Sequence, residues 1–167
     1  MILPLTEWRD FYVMIGTASG AIVGATFVVI TLFSERSERA VFGLRGFMTP
    51  TALHLGSALV GSAVLTVPTL TPLSLAVLLG IGGIAGAAYS FVVASRIWTA
   101  RLDRDDRFFY VILPILAYVA IAAAALLART VPEVALNILA AALVGLLVIG
   151  MRNAWDMATF LITRDRS

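Results

Sequence analysis

An all-α polytopic membrane protein, a bundle of about five transmembrane helices in a single domain over residues 1–167, is the fold class this sequence predicts. Three observations carry it. The chain is 60% hydrophobic and only 13% charged, where soluble domains carry about 25% charged residues. Its mean hydropathy is +0.98. Uncharged stretches of about 20 residues recur along its length, each long enough to cross a bilayer as a helix.

The first span is expected at 11–33, entered through Thr6-Glu7-Trp8-Arg9-Asp10. It reads as a retained span rather than a cleavable signal, because charges precede a run longer than the 7–15 apolar residues, roughly, of a signal core. The segment 34–49 follows, beginning with Ser-Glu-Arg twice over; its second half, around Arg45, suits the headgroup region. The second span is expected at 50–68, with Thr49 as N-cap and Pro50 at the first helical position. Thr71-Pro72 repeats that start signal for a third span at 73–95. The charged turn Arg101–Arg107 leads to a fourth at 108–128. Pro132 and Glu133 open the fifth, expected at 134–155 with helical extension to about Ile162.

Composition excludes several chemistries. The twelve basic residues are all arginine, so no lysine Schiff base or lysine nucleophile can form. There is no cysteine, hence no disulfide, thiolate metal site or cysteine catalysis. One histidine, His54, cannot supply a bis-histidine haem or a two-histidine zinc motif within one chain. No catalytic, metal or cofactor site is therefore expected. The sequence pI of about 9.5 reflects arginines at helix ends, and no nucleic-acid partner follows from it.

Those arginines also choose an orientation. Ten of the twelve (Arg36, Arg39, Arg45, Arg96, Arg101, Arg104, Arg107, Arg152, Arg164 and Arg166) fall on one side of a five-span topology. Arg9 and Arg129 fall on the other. Positive residues concentrate in the cytoplasm, which places the N-terminus outside and the C-terminus inside. The odd span count does not suit a simple inverted repeat.

Small residues mark faces for close helix contact. Gly16, Gly20 and Gly24 form a doubled GxxxG in the first span, and Gly82, Gly83, Gly86, Ser90 and Ala94 share a face of the third. Such faces serve packing within a chain or between subunits. In the fourth span Tyr110, Pro114 and Tyr118 lie on one face, with a kink expected where Pro114 cannot donate to the carbonyl of Tyr110. Tyr118 lies about 15 Å into the span at 1.5 Å per residue. In the fifth, Asn137, Ala141, Gly145, Val148, Arg152 and Asp156 make a stripe expected to face protein or water, because lipid would leave Asn137 unsatisfied.

His54 stands one turn into the second span, with Ser57 and Gly61 on its face. The topology puts His54, Tyr89, Ser90, Tyr110, Arg152, Asn153 and Asp156 in the cytoplasmic half. Their convergence is the expected site, in which Arg152 or Asp156 would set the charge of His54 if they meet. Asp103, Asp105 and Asp106 alternate with arginines and read as a solvated, self-neutralised turn rather than a metal site.

The segments EWRDFYVMIGT, TPTALHLG, YVILPILAY and GMRNAWD together resemble a loose group of small, uncharacterised multi-pass bacterial membrane proteins. The resemblance covers most of the chain. It implies a bacterial inner-membrane location and marks the histidine and the RNAWD segment as recurrent, and it carries no activity. Two roles follow from the residues. One is a homo-oligomeric channel or small-solute permease, with the fifth-span stripe lining its path. The other is a non-enzymatic accessory or scaffold subunit docked on a membrane-protein partner. An enzyme, built on His54 and Asp156, ranks last.

Overall fold

The computed structural model describes residues 5–34, 38–97 and 104–164, and no strand occurs among them. Six α-helices and one π-helical turn run in the order α1 (Leu5–Ser34), α2 (Glu38–Leu65), α3 (Pro72–Ile97), α4 (Arg104–Arg107), the π turn (Phe108–Ile112), α5 (Leu113–Leu127) and α6 (Pro132–Arg164). Five of these segments are long and apolar enough to cross a membrane, the π turn and α5 together forming the fourth. The all-α, five-span architecture is thus as the composition predicts.

The third span begins as its residues dictate. The Ser74 backbone N–H donates to Thr71 Oγ1 at 3.1 Å, and the Thr71 N–H donates to Ser74 Oγ at 2.9 Å. This reciprocal cap satisfies two backbone donors that a helix start leaves open, with Pro72 at the position where a missing N–H costs nothing. The fifth span likewise opens at Pro132. The helix of the second span does not open at Pro50: α2 already runs from Glu38, ahead of the apolar stretch Met48–Leu65, and Pro50 lies buried inside it. Residues 38–49 contain no helix breaker stronger than glycine, and interior prolines are tolerated in membrane helices. The segment expected as a connection is therefore largely helix.

The helix carries an insertion just ahead of Pro114. The Leu113 N–H reaches back to the carbonyl of Phe108, an i to i−5 bond, so the ladder widens into a π turn just ahead of the proline. Such insertions re-aim the side chains around them. Here they turn Phe109 and Tyr110 toward α6.

Helix α6 is the centre of the bundle, touching α1, α2 and α5. Its inward face reads Leu136, Leu139, Leu143, Leu146, Gly150, Asn153 and Met157, all buried at alternating steps of three and four. That 3.5-residue spacing keeps one seam against neighbouring helices. Around it α1 pairs with α2 and α3 pairs with α5, whereas α2 and α3, though consecutive, barely meet. Outward positions are large and apolar: Leu126 is 81% exposed, Phe91 68% and Ile84 66%. A surface of that kind belongs in hydrocarbon rather than water.

Glycines set how closely the helices approach. A Cβ on Gly83 would lie 2.6 Å from the backbone nitrogen of Ala122, so α3 and α5 meet backbone to backbone there. One on Gly86 would enter the Tyr118 ring, and one on Gly150 would enter the Leu55 side chain. Gly16 faces Ser62 at 3.2 Å, and Gly20 lies against Leu59 at 3.9 Å, so this part of the first-span GxxxG packs within the chain. Gly24 and Gly82 open onto space. At the outer end, by the expected orientation, the buried Tyr12 hydroxyl donates to the Leu136 carbonyl at 3.0 Å, fastening α1 to α6 beside a cluster of Trp8 and Phe11.

Gly86→Val should destabilise the protein by about 1–3 kcal/mol, the usual cost of forcing side-chain atoms into a packed interior. Gly24→Val should leave stability nearly unchanged. Thermal unfolding in detergent compares them, and equal shifts in Tm would refute the packing assigned to Gly86.

Candidate functional site

Two separate polar clusters take up most of the expected site residues. The first lies deep in the membrane, between α2 and α5. His54 is only 2% exposed, and its Nδ1 stands 3.2 Å from the Tyr118 hydroxyl. That hydroxyl donates to Ser57 Oγ at 2.9 Å. The phenol has a single proton, and with that proton given to Ser57 the Nδ1–H tautomer of His54 donates to Tyr118. The result is a one-way relay, His54 to Tyr118 to Ser57. His54 and Ser57 share a face of α2 because they are three residues apart, and the slot at Gly86 lets the Tyr118 ring lie flat enough against α3 to reach them. Tyr89 of α3 stands within electrostatic reach of Tyr118.

The second cluster sits where α6 leaves the apolar core, at the end expected to be cytoplasmic. The Arg152 guanidinium lies 4.0 Å from the centroid of the Phe109 ring, a cation–π contact set up by the π turn. It lies 3.8 Å from Asp106 of α4 and 3.9 Å from Asp156 one turn on. Those separations make ion pairs without close hydrogen bonds, and Arg152 Nη1 has no hydrogen-bond partner among the described residues. Tyr110 feels the charges of Asp156, Asp106 and Arg152. One arginine thereby ties the start of the fourth span to the end of the fifth.

The two clusters share none of these contacts. Arg152 and Asp156, which would set the charge of His54 if they met it, pair instead in the second cluster, while His54 is hydrogen-bonded to Tyr118. Asp106, expected in a self-neutralised turn, is the Arg152 partner that sequence reasoning set aside. Its pairing depends on how the fourth span docks on the fifth.

The stripe that carries Asn137 lies on the outside of the single bundle. Asn137, Ala141 and Val148 are exposed on the outside of α6, Gly145 and Arg152 are half-buried, and the inward face is the leucine seam. Asn137 does not need a partner helix, because its side-chain amide donates to the Glu133 carbonyl one turn back at 2.9 Å. Asn153, in contrast, is completely buried, and neither amide atom has a partner among the described residues. The Ser19, Ser62 and Ser90 hydroxyls share that condition.

Two crevices accompany these clusters. One of about 440 Å³ lies between α2 and α3, is walled by Gly56, Val60, Leu78, Gly82 and Ile121, and has Ser57 and Tyr118 in its lining. Another, of about 290 Å³, runs between α1 and the end of α6 along Ile22, Thr26, Val29, Met151 and Trp155. Comparison of the chain with protein-family models, curated proteins and solved structures returns no match.

Tyr118→Phe removes both relay bonds and strands a buried His54 N–H, so stability should fall by about 1–3 kcal/mol. Ser57→Ala removes only the last acceptor and should cost less. Denaturant titration in micelles tests the order, and equal effects would refute the direction assigned to the relay.

Proposed function

We propose that this integral membrane protein is a homo-oligomeric channel or small-solute permease of the bacterial inner membrane, its path running between copies of the chain. A single bundle has its centre filled by Leu136, Leu139, Leu143, Leu146 and Ile149, which offers no polar route through it. The observation that supports an intersubunit path is the outer face of α6. Asn137 and Arg152 stand toward its two ends with Ala141, Gly145 and Val148 between them, and a Cβ on Gly145 would touch nothing within 4 Å. Small residues let a second backbone approach, and polar residues at the two mouths would be wetted by the solute path. The orientation is N-terminus outside and C-terminus cytoplasmic, as the arginine distribution supports.

A second reading, the accessory or scaffold subunit, draws on the apolar groove between α1 and α6. A helix of another membrane protein would lie along Val29, Met151 and Trp155. One purification separates the two readings.

Native mass spectrometry of the protein extracted with its lipids should give a homomer of defined number, and liposomes should pass a small ion or solute. Asn137→Leu and Arg152→Leu should each change that flux severalfold. A monomer without flux would overturn the channel reading, and stoichiometric recovery with a different protein would establish the accessory reading in its place.

With no native cysteine, single-cysteine labelling reads orientation without background. In intact cells Thr130→Cys should react with an impermeant maleimide, and Ser95→Cys should react only after lysis. The reverse pattern would invert the topology.

A further inference from the structure

We propose that the crevice between α2 and α3 is a binding site for a neutral, lipid-soluble carbonyl compound, a molecule with the chemistry of a quinone, which enters sideways from the bilayer. The crevice exists because α3 leans on α5 instead of on its neighbour α2. Glycines keep it open from both sides: a Cβ on Gly56 of α2 or on Gly82 of α3 would meet nothing within 4 Å. Leu53, Val60, Leu78 and Gly82 are exposed as well as lining it, so its mouth faces lipid. Its volume of about 440 Å³ falls within the range of small-molecule sites, about 300–1,000 Å³.

The relay specifies the polar requirement. In the Nδ1–H tautomer of His54 it runs from His54 through Tyr118 to Ser57, whose oxygen accepts from Tyr118. The serine makes no other hydrogen bond among the described residues, so its own proton is the open end of the chain. That hydroxyl lines the crevice. Two donors behind it polarise the serine O–H and strengthen it as a donor. What the crevice lacks is an acceptor, and no charged side chain lines it, which selects a neutral one.

Depth selects the class of molecule. Ser57 lies near the middle of the apolar stretch Met48–Leu65, about 12–14 Å from each end at 1.5 Å per residue. That is close to the middle of a hydrocarbon core about 30 Å thick. The ester carbonyls of a phospholipid are held near the headgroups and do not dwell there. A carbonyl on an apolar ring or tail does.

The test uses the full chain in phosphatidylcholine vesicles with two photoreactive probes, a benzoquinone carrying a diazirine on its prenyl tail and a phosphatidylcholine carrying one on its acyl chain. The quinone probe should label residues 53–64 and 78–82 saturably, and unlabelled quinone should displace it where squalene, which has no carbonyl, does not. Ser57→Ala should raise the half-saturating concentration about fivefold, the loss expected for one neutral hydrogen bond. Gly82→Leu should abolish saturable labelling while the protein remains folded by circular dichroism, and Gly56→Leu does the same from the opposite wall should the first variant not fold. Labelling spread evenly over the outward faces, saturable labelling by the phosphatidylcholine probe alone, or half-saturation indifferent to Ser57→Ala would each overturn the proposal. None of these outcomes depends on oligomeric state or flux, so the intersubunit path stands or falls separately.

Discussion

The placement of the Tyr118 ring over Gly86 is the contact on which the inner half of the bundle depends. The glycine leaves a slot that no other residue could leave, since its Cβ would occupy the ring. With the ring in that slot, α5 presses onto α3 and the phenol is carried across to α2, where His54 and Ser57 receive it. Without the slot α3 would stand farther from α5 and the phenol would lose its reach. One missing methyl group therefore decides both a helix–helix distance and the position of a buried polar chain.

A membrane interior explains why so much rests on so few contacts. Lipid tails are as apolar as leucine, so hydrophobic burial does little to choose which helix faces meet. The choice passes to shape and to hydrogen bonds that cannot be made with solvent. Both are visible here. Gly83 on Ala122, Gly61 on Leu143 and Gly150 on Leu55 fix the close approaches. Tyr12 on the Leu136 carbonyl and the His54 relay fix which helices are joined at each depth. Arg152 completes the set at the membrane edge, where exposure of its carboxylate partners limits an ion pair to about 0–1 kcal/mol and the Phe109 face adds to it.

The same economy accounts for the gap between α2 and α3. Once Gly83 and Gly86 have drawn α3 to α5, and Gly61 and Gly150 have drawn α2 to α6, the consecutive helices α2 and α3 are pulled apart. The crevice left between them ends on Ser57, whose proton has no acceptor among the described residues. Packing elsewhere in the bundle, rather than any motif within the crevice, makes it.

The sequence by itself determined the five spans, their approximate ends and the residues that stand at them, because charge scarcity and the Thr71–Pro72 start signal act locally along the chain. It marked His54, Tyr118, Arg152 and Asp156 as chemistry-bearing for the same reason: polar groups in hydrocarbon are costly wherever the helices go. Only the tertiary structure decided which of them meet. Asn137 shows why. Its need for a partner was legible, but a carbonyl of its own helix satisfied it, so it could face outward. The leucine seam of α6 took the interior instead, and an apolar residue reads alike against lipid and against protein. Asp106 was invisible as the Arg152 partner because that pairing spans two helices and turns on a π insertion ahead of Pro114. Which small residue is a contact and which is a wall, Gly86 or Gly82, is likewise a matter of about one helical step, settled only when a second helix lies against the first.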